Sequence, residues 1–424
     1  MVKIGVFADT HVGRSIPNII AEHRRQAFRH AFTQAINIFI EEGVDLVIHA
    51  GDLFEKRSMR APDSLFVKEE LQRLVDSQSG RVKIVMVRGN HDGTTENSVL
   101  NYVEHPLAKY LTVLGDKTMQ GEPEVYQDGN LAIIGFGYTY YPSTKLVEVK
   151  DAVKLKYDSL KADYKIFLAH MFIKGQEIPP NVPEYQVVSL SLIKELGANF
   201  VIAGHYHKYL PLTEKSGTHL LTPGATEAID LSDDSPHGVC ILKLGQRLEC
   251  KFIPIKPLHK IRNEVIDSRG AVQQPRWFIE KAVAAANQFS EQVKEGGEQG
   301  ILRIALRGFL DGNRFDLQAE IERQMQNIRK ENPQILHVEI DNALSEVTSA
   351  GISVPEHMSR EEFLQEVFRS LGDKRMAQAL SLAEDVRMAL EEKASPQTGL
   401  LKESDRKPFV EKWLKILEGG ISAV

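Results

Sequence analysis

VKIGVFADTH, residues 2–11, is a short apolar run that ends on a carboxylate and an imidazole two positions apart, Asp9 and His11. The pattern returns four times. VDLVIHAGDLF (44–54) ends on Asp52, and VKIVMVRGNHD (82–92) on Asn90, His91 and Asp92. YKIFLAH (164–170) ends on His170, and NFVIAGHYH (199–207) on His205 and His207. Each run reads as a buried β-strand, and helical stretches separate them. Polar side chains at the carboxyl ends of successive strands are what an α/β sheet presents to a ligand. The expected fold is therefore α/β, with two stacked sheets flanked by helices.

The intervening sequence supports this. Arg24 to Glu42 carries Phe28, Ala31, Phe32, Ala35, Ile36 and Phe39 at helical spacing, and 63–76 and 98–110 read as two further helices. Strands are expected at 131–136, 166–169 and 200–203. From His219 to Ile255 the pattern suggests antiparallel strands around a Pro223-Gly224 turn. A strand–helix–strand–helix–strand series then runs from Lys260 to Ile340, suggesting a small α+β domain. The expected division is 1–255, 256–342, a linker at 343–358 and a helical region at 359–424. In that last region Ser359 and Glu362 form a capping box, and Phe363, Val367, Leu371, Met376, Ala379, Ala383 and Val386 form an apolar stripe. An amphipathic helix pair without a core of its own suggests a partner's groove.

The five blocks hold carboxylates, imidazoles and one carboxamide, and no thiolate, which is a ligand set for a hard-to-borderline metal. Alternation along a strand places Asp9 and His11 on one face, and His205 and His207 likewise. Asp52, after Gly51 at a tight strand exit, is placed to bridge two ions; Asn90 adds a neutral oxygen and His170 an imidazole. Seven ligands for two ions describe a binuclear site that clamps a phosphate and activates water. His91 is assigned to the phosphate, as cation or general acid, with Asp92 orienting its ring. Taken singly, each block is a common turn or core feature. Their joint placement after strands within one domain-sized span, holding five of the 14 histidines, carries the reading. His49, inside a strand run, is expected in the core or behind the ligands.

The order of the blocks resembles the calcineurin-like metallophosphoesterase superfamily and, within it, the SbcD-type (Mre-type) subunit of DNA-repair nucleases. GDLFEKRSMRAPDSL (51–65) and LLTPGATEAIDLSDD (220–234) are similar to segments of that group, and a small domain follows where it carries a DNA-capping domain. The resemblance implies that Asp9, His11 and His207 hold one ion and Asn90, His170 and His205 the other, with Asp52 between. It implies two manganese ions and DNA ends as substrate in double-strand-break repair. It also implies a homodimer and a C-terminal region docked on an SMC-like coiled-coil ATPase of the SbcC type. From the residues alone, iron or zinc would serve as well as manganese. The chain departs from the group at Glu55, where many members have His. This affects any exonuclease role tied to that histidine but not the metal ligands.

Lys and Arg total 52 against 58 acidic residues, a net charge of -6, so DNA contact must come from local patches or bound metal. Arg303 and Arg307, opposite the apolar face of 301–307, are candidates, as are Arg24, Arg25 and Arg29. Leu65, Leu100 and Val103 are candidates for a dimer seam. Cys240 and Cys250 are expected as reduced thiols. No apolar run is long enough to span a membrane, and the N-terminal run reads as a first strand, so a cytoplasmic location is expected. Two rivals share these features. One is an esterase for nucleotides or other small phosphates with the same site; the other is a non-catalytic scaffold for DNA ends.

Overall fold

A computed structural model describes residues 2–347, apart from 95–96, 175, 180–181, 216, 234 and 246–247. The expected helical region at 359–424, and most of the linker before it, lie outside the described residues.

Strands β1 (Val2–Phe7), β2 (Leu46–His49), β3 (Lys83–Val87) and β4 (Leu111–Leu114) alternate with helices α1 (Ala21–Glu42), α2 (Ala61–Ser77) and α3 (Asn101–Leu107). Next come β5 (Val125–Asp128), β6 (Leu131–Phe136), α4 (Pro142–Ser159), β7 (Tyr164–His170), β8 (Phe200–Gly204), β9 (Leu210–Lys215) and β10 (Thr218–Thr222). Then follow β11 (Gly238–Leu244), β12 (Glu249–Pro254), β13 (Lys260–Gln273), α5 (Pro275–Glu295), β14 (Gly300–Leu310), α6 (Arg314–Glu331) and β15 (Ile335–Glu346).

Two six-stranded sheets form the centre, in the orders β12-β11-β1-β2-β3-β4 and β9-β10-β8-β7-β6-β5. In the first, β1 to β4 are parallel out to the β4 edge, and β11 and β12 add an antiparallel pair on the other side; in the second, four inner parallel strands lie between antiparallel edges β9 and β5. The strands are apolar on both faces because both faces are covered. Ile4, Val6, Ile48, Val85 and Val87 point at Ile133, Ile166, Leu168 and Ile202 between the sheets. Phe7, Val47, Ile84 and Met86 pack outward on Phe32, Phe39, Leu71 and Leu74 of the helices. On the far side, Phe167 and Val201 pack on Leu146, Val149, Val153 and Tyr157 of α4. The result is a four-layer sandwich whose parallel strands send their carboxyl ends to one rim.

Two expectations need correction. Pro223-Gly224 is not a hairpin turn. Both edges of β10 are taken by β8 and β9, so the chain leaves that sheet, and β11 pairs antiparallel with β1 in the other. The expected helix at 98–110 shrinks to Asn101–Leu107: the Ser98 hydroxyl donates to the Asp92 carbonyl, and Pro106 lies inside the helix without an N–H.

The series after residue 256 forms a third sheet, β13-β14-β15, and it is wholly parallel. It is a βαβαβ unit rather than an α+β arrangement, because each long helix returns the chain to the same end. Leu302, Ile304 and Leu306 pack under Phe278, Phe289 and Ile321. Ile301 and Leu336 face the other way, onto Ile20 and Leu231. Its last strand continues to Glu346, beyond the boundary expected at 342.

Candidate metal centre

The site is built from loops just beyond the strand ends. β1 ends at Phe7, so Asp9 and His11 are not placed by strand alternation as expected. Backbone bonds from Asp9 N to the Gly51 carbonyl (3.0 Å) and from His11 N to the Asp52 carbonyl (3.1 Å) lace this loop to the one after β2. Asp9, His11, Asp52 and His205 all have positive φ, at 50°, 40°, 57° and 86°. That conformation is uncommon outside glycine, and its clustering here marks strain held for a purpose. Gly51 is required where it is: its φ is +96°, and a Cβ there would lie 2.4 Å from His170 Nδ1.

Three groups of side chains converge. Asp9, His11 and His207 bring ligand atoms within 4.8 Å of one another; so do Asp52, His170 and His205, and so do His11, Asp52 and His91. Asp52 lies between the first two groups, its Oδ2 3.7 Å from His11 Nε2 and 3.3 Å from His170 Nε2. Asn90 Oδ1 lies 3.1 Å from His170 Nε2. The grouping separates His205 from His207, which spacing alone pairs.

The donors fit divalent metal. His11 Nδ1 donates to Glu55 Oε2 at 3.0 Å and His170 Nδ1 donates to the Ala50 carbonyl at 2.8 Å, so in the neutral ring it is Nε2 that turns a lone pair to the centre. His11 Nε2 is buried with no hydrogen-bond partner, a costly state for a polar atom unless something is to be bound there. Electrostatics divide the imidazoles. Burial would lower His170 and His11, but the carboxylates outweigh it, pushing His170 up to about 9 and raising His11, so these two must give up a proton to a cation that takes its place. Burial pushes Asp9 up to about 7, helped by the charge of Asp52. Burial would raise Asp52 as well, but His170, His11 and His91 outweigh it and hold that carboxyl far below its usual range. Burial lowers His207 to about 3 and His205 to about 2, so both imidazoles are neutral, as ligands must be.

His91 lies beside the centre, on an open cleft of about 400 Å³ that Asp52, Asn90, His205, His207 and Lys208 also line. Its Nδ1 donates to the Glu55 carbonyl at 2.6 Å, leaving Nε2 for the cleft. Asp92 does not orient that ring. It is fully buried and accepts backbone N–H bonds from Asp52, Leu53, Phe54 and Gly89 at 2.9–3.3 Å, clamping the bridging loop to its neighbour. Glu55 was missed as a supporting residue. Burial would raise its pKa, but His11 and Arg14 outweigh it, and Arg14 reaches both carboxylate oxygens at 2.9 and 3.0 Å. His49 lies in the core, bonded to Thr10 Oγ1 at 3.2 Å.

Other candidates are placed differently from expectation. Leu100 and Val103 are 1% exposed within the core under α2 and α3, so they form no seam; Leu65 alone of the three is exposed. Arg303 is held by Asn263, Glu339 and Asp341, and Arg307 by Asp341, so both are spoken for within the sheet. Arg24 is buried against the Ala228 carbonyl and Glu227; Arg25 pairs with Glu22 and Arg29 with Asp63. No helix among the described residues is long and apolar enough to cross a membrane.

Residues 2–209 match the family model of calcineurin-like phosphoesterases. The first half of the chain is a calcineurin-like metallophosphoesterase. Its binuclear Asp/His centre is of the kind these enzymes carry. Among curated proteins, this metallophosphoesterase is 27% identical to the DNA double-strand break repair protein Mre11 of Haloferax volcanii, over 73% of this chain and 62% of that protein. It is 27% identical to the Mre11 of Halobacterium salinarum over 58% of this chain and 57% of that protein. Against the Mre11 of Thermoplasma acidophilum the identity is 25%, over 52% and 55%. The matches thus span between 55% and 62% of the length of these relatives.

Proposed function

We propose that this chain is a manganese-dependent nuclease that hydrolyses DNA phosphodiesters at DNA ends in double-strand-break repair. The observation that carries this reading is the pair of three-residue ligand groups meeting at Asp52, open to a cleft with His91 on its wall. Similarity to the Mre11 proteins of archaea supports DNA as the substrate class. An imidazole-rich donor set supports manganese over magnesium. We assign Asp9, His11 and His207 to one ion and Asn90, His170 and His205 to the other, with Asp52 shared.

A pair of divalent ions, when bound, supplies charge to the phosphate and makes water acidic enough to attack near neutral pH. The chain supplies the rest. Asp52, His11 and His170 are fixed by hydrogen bonds behind them, so the centre is preorganised. His91, turned by the Glu55 carbonyl and acting as its imidazolium, presents Nε2–H to the leaving oxygen, gives it that proton or a hydrogen bond, and is left as the neutral ring with Nδ1–H still on the carbonyl. Lys208, on the cleft wall, is placed to meet a strand's phosphate. We also assign residues 256–342 to DNA capping, the exposed face of α2 around Leu65 to a homodimer, and 359–424 to an SMC-like ATPase.

The test is incubation of the purified chain with labelled duplex and single-stranded DNA in manganese, magnesium or chelator, beside Asp52→Ala. Manganese-dependent cleavage lost in the variant is the expected result. Turnover of a small phosphodiester without DNA cleavage would overturn the DNA assignment.

A further inference from the structure

A row of tyrosines leads away from the metal centre. Tyr138 packs against His205 and His170, with ring centroids 5.4 and 6.2 Å away. Tyr140 and Tyr141 follow between β6 and α4, and Tyr185 comes to them from the segment after β7. Their centroids lie 5.0 Å apart for Tyr140 and Tyr141, and 5.4 Å apart for each of these with Tyr185. These three rings are 51%, 54% and 43% exposed, so the cluster gives the core little. Exposed large rings gathered in one place signal a binding surface. The hydroxyls of Tyr140 and Tyr185 are 2.9 Å apart, and their hydrogen bond pushes Tyr185 up to about 12. Tyr185 therefore carries no charge at neutral pH.

We propose that Tyr140, Tyr141 and Tyr185 form a stacking platform for unpaired bases of a nucleic-acid strand whose phosphodiester lies at the metal centre, with Tyr138 as the step between. The proposal rests on the nuclease reading and adds a preference to it. Aromatic rings bind any base through its π-face. Bases within a duplex are stacked on both sides and have no face to offer, so the platform favours single-stranded ends, flaps and hairpin loops. Nearness to the centre decides the occupant: Tyr138 touches His205 and His170 and stands two residues before Tyr140, so a strand whose phosphodiester lies at the centre has these rings beside its neighbouring bases.

The test uses the full chain in chelator, so that no strand is consumed, and a single-stranded oligonucleotide carrying 2-aminopurine, whose fluorescence is quenched on stacking. Wild type quenches it. Tyr185→Ala weakens single-strand binding roughly tenfold, and Tyr140→Ala with Tyr185→Ala weakens it further and removes the quench. Tyr185→Phe, which keeps the ring, restores both. Thermal unfolding of each variant confirms that the fold is intact. If wild type cleaves DNA with manganese yet the double variant binds and quenches like wild type, the platform is overturned and the nuclease reading stands. If wild type neither binds nor cleaves DNA, both fall.

Discussion

The rim shared by the two central sheets and the arginine face of the third sheet are both dense in charge, yet they are built in opposite ways. On the third sheet these two guanidinium groups have their carboxylates: Arg303 meets Glu339 and Asp341, and Arg307 shares Asp341. The backbone at Arg303 and Arg307 is paired strand, and the left-handed Arg269 of β13 lies away from them, at a bulge. At the rim the charges are not matched pair by pair. Four side chains sit on left-handed backbone, a buried imidazole nitrogen has no partner, and two carboxylates lie among imidazoles. The difference teaches that density of charge does not mark a site. Convergence does: ligand atoms brought together on left-handed backbone with an unsatisfied buried nitrogen among them, a setting that the unsatisfied Nδ1 of His337 on β15 lacks.

That contrast can be broken by substitution. The largest effect falls at Asp52, the carboxylate that lies between the two ligand groups. Asp52→Ala should abolish hydrolysis of a small phosphodiester, measured by product release. Persistence of wild-type turnover would mean that the two groups work apart.

Next is Arg24, a satisfied arginine like those of the third sheet but fully buried. Arg24→Ala leaves Glu227 buried without a partner, and should cost about 3–5 kcal/mol of stability in denaturant unfolding. A change within error would place this pair among the neutral ones.

Glu55 sharpens the comparison because it belongs to both worlds: paired with Arg14, yet acting on a ligand. Glu55→Gln removes the charge behind His11 and should weaken metal binding by roughly 10–100-fold, read by calorimetry on metal-free protein. Glu55→His would restore the residue common in the resembling group, and Arg14 would then lose its carboxylate. Unchanged affinity in Glu55→Gln would reduce the carboxylate to a structural anchor.

The smallest effect is expected on the third sheet itself. Arg303→Ala and Arg307→Ala should change DNA affinity by less than about twofold at physiological salt, since neither guanidinium is free for phosphate. A steep loss, with a shallower salt dependence, would show that DNA displaces Asp341.

Much of the fold and nearly all of the convergence were legible in sequence, for one physical reason. Strands covered on both faces must be apolar at every position, so polar ligands at their ends stand out sharply, as Asp9 does after VKIGVFA and His170 after YKIFLA. What was hidden depends on contacts distant in sequence. Glu55 gives no local sign that it will reach His11, 44 positions away, and Asp92 reads like an orienter of its neighbour although it binds the 52–54 backbone. Leu100 and Val103 look like surplus apolar positions only because α3 is shorter than its pattern suggests. α4 was legible and overlooked: Leu146, Val149, Val153 and Tyr157 carry the helical spacing that buries them on the second sheet. The parallel order of the third sheet was not, since a strand–helix–strand pattern fixes the elements but not which edge each strand takes.

The account's central claim is a binuclear centre bridged by Asp52, and equilibrium dialysis of metal-free protein against manganese, with metal counted per chain, tests it most directly. The account predicts two tightly bound ions for wild type and at most one for Asp52→Ala. A single ion in wild type, or two in the variant, would contradict it.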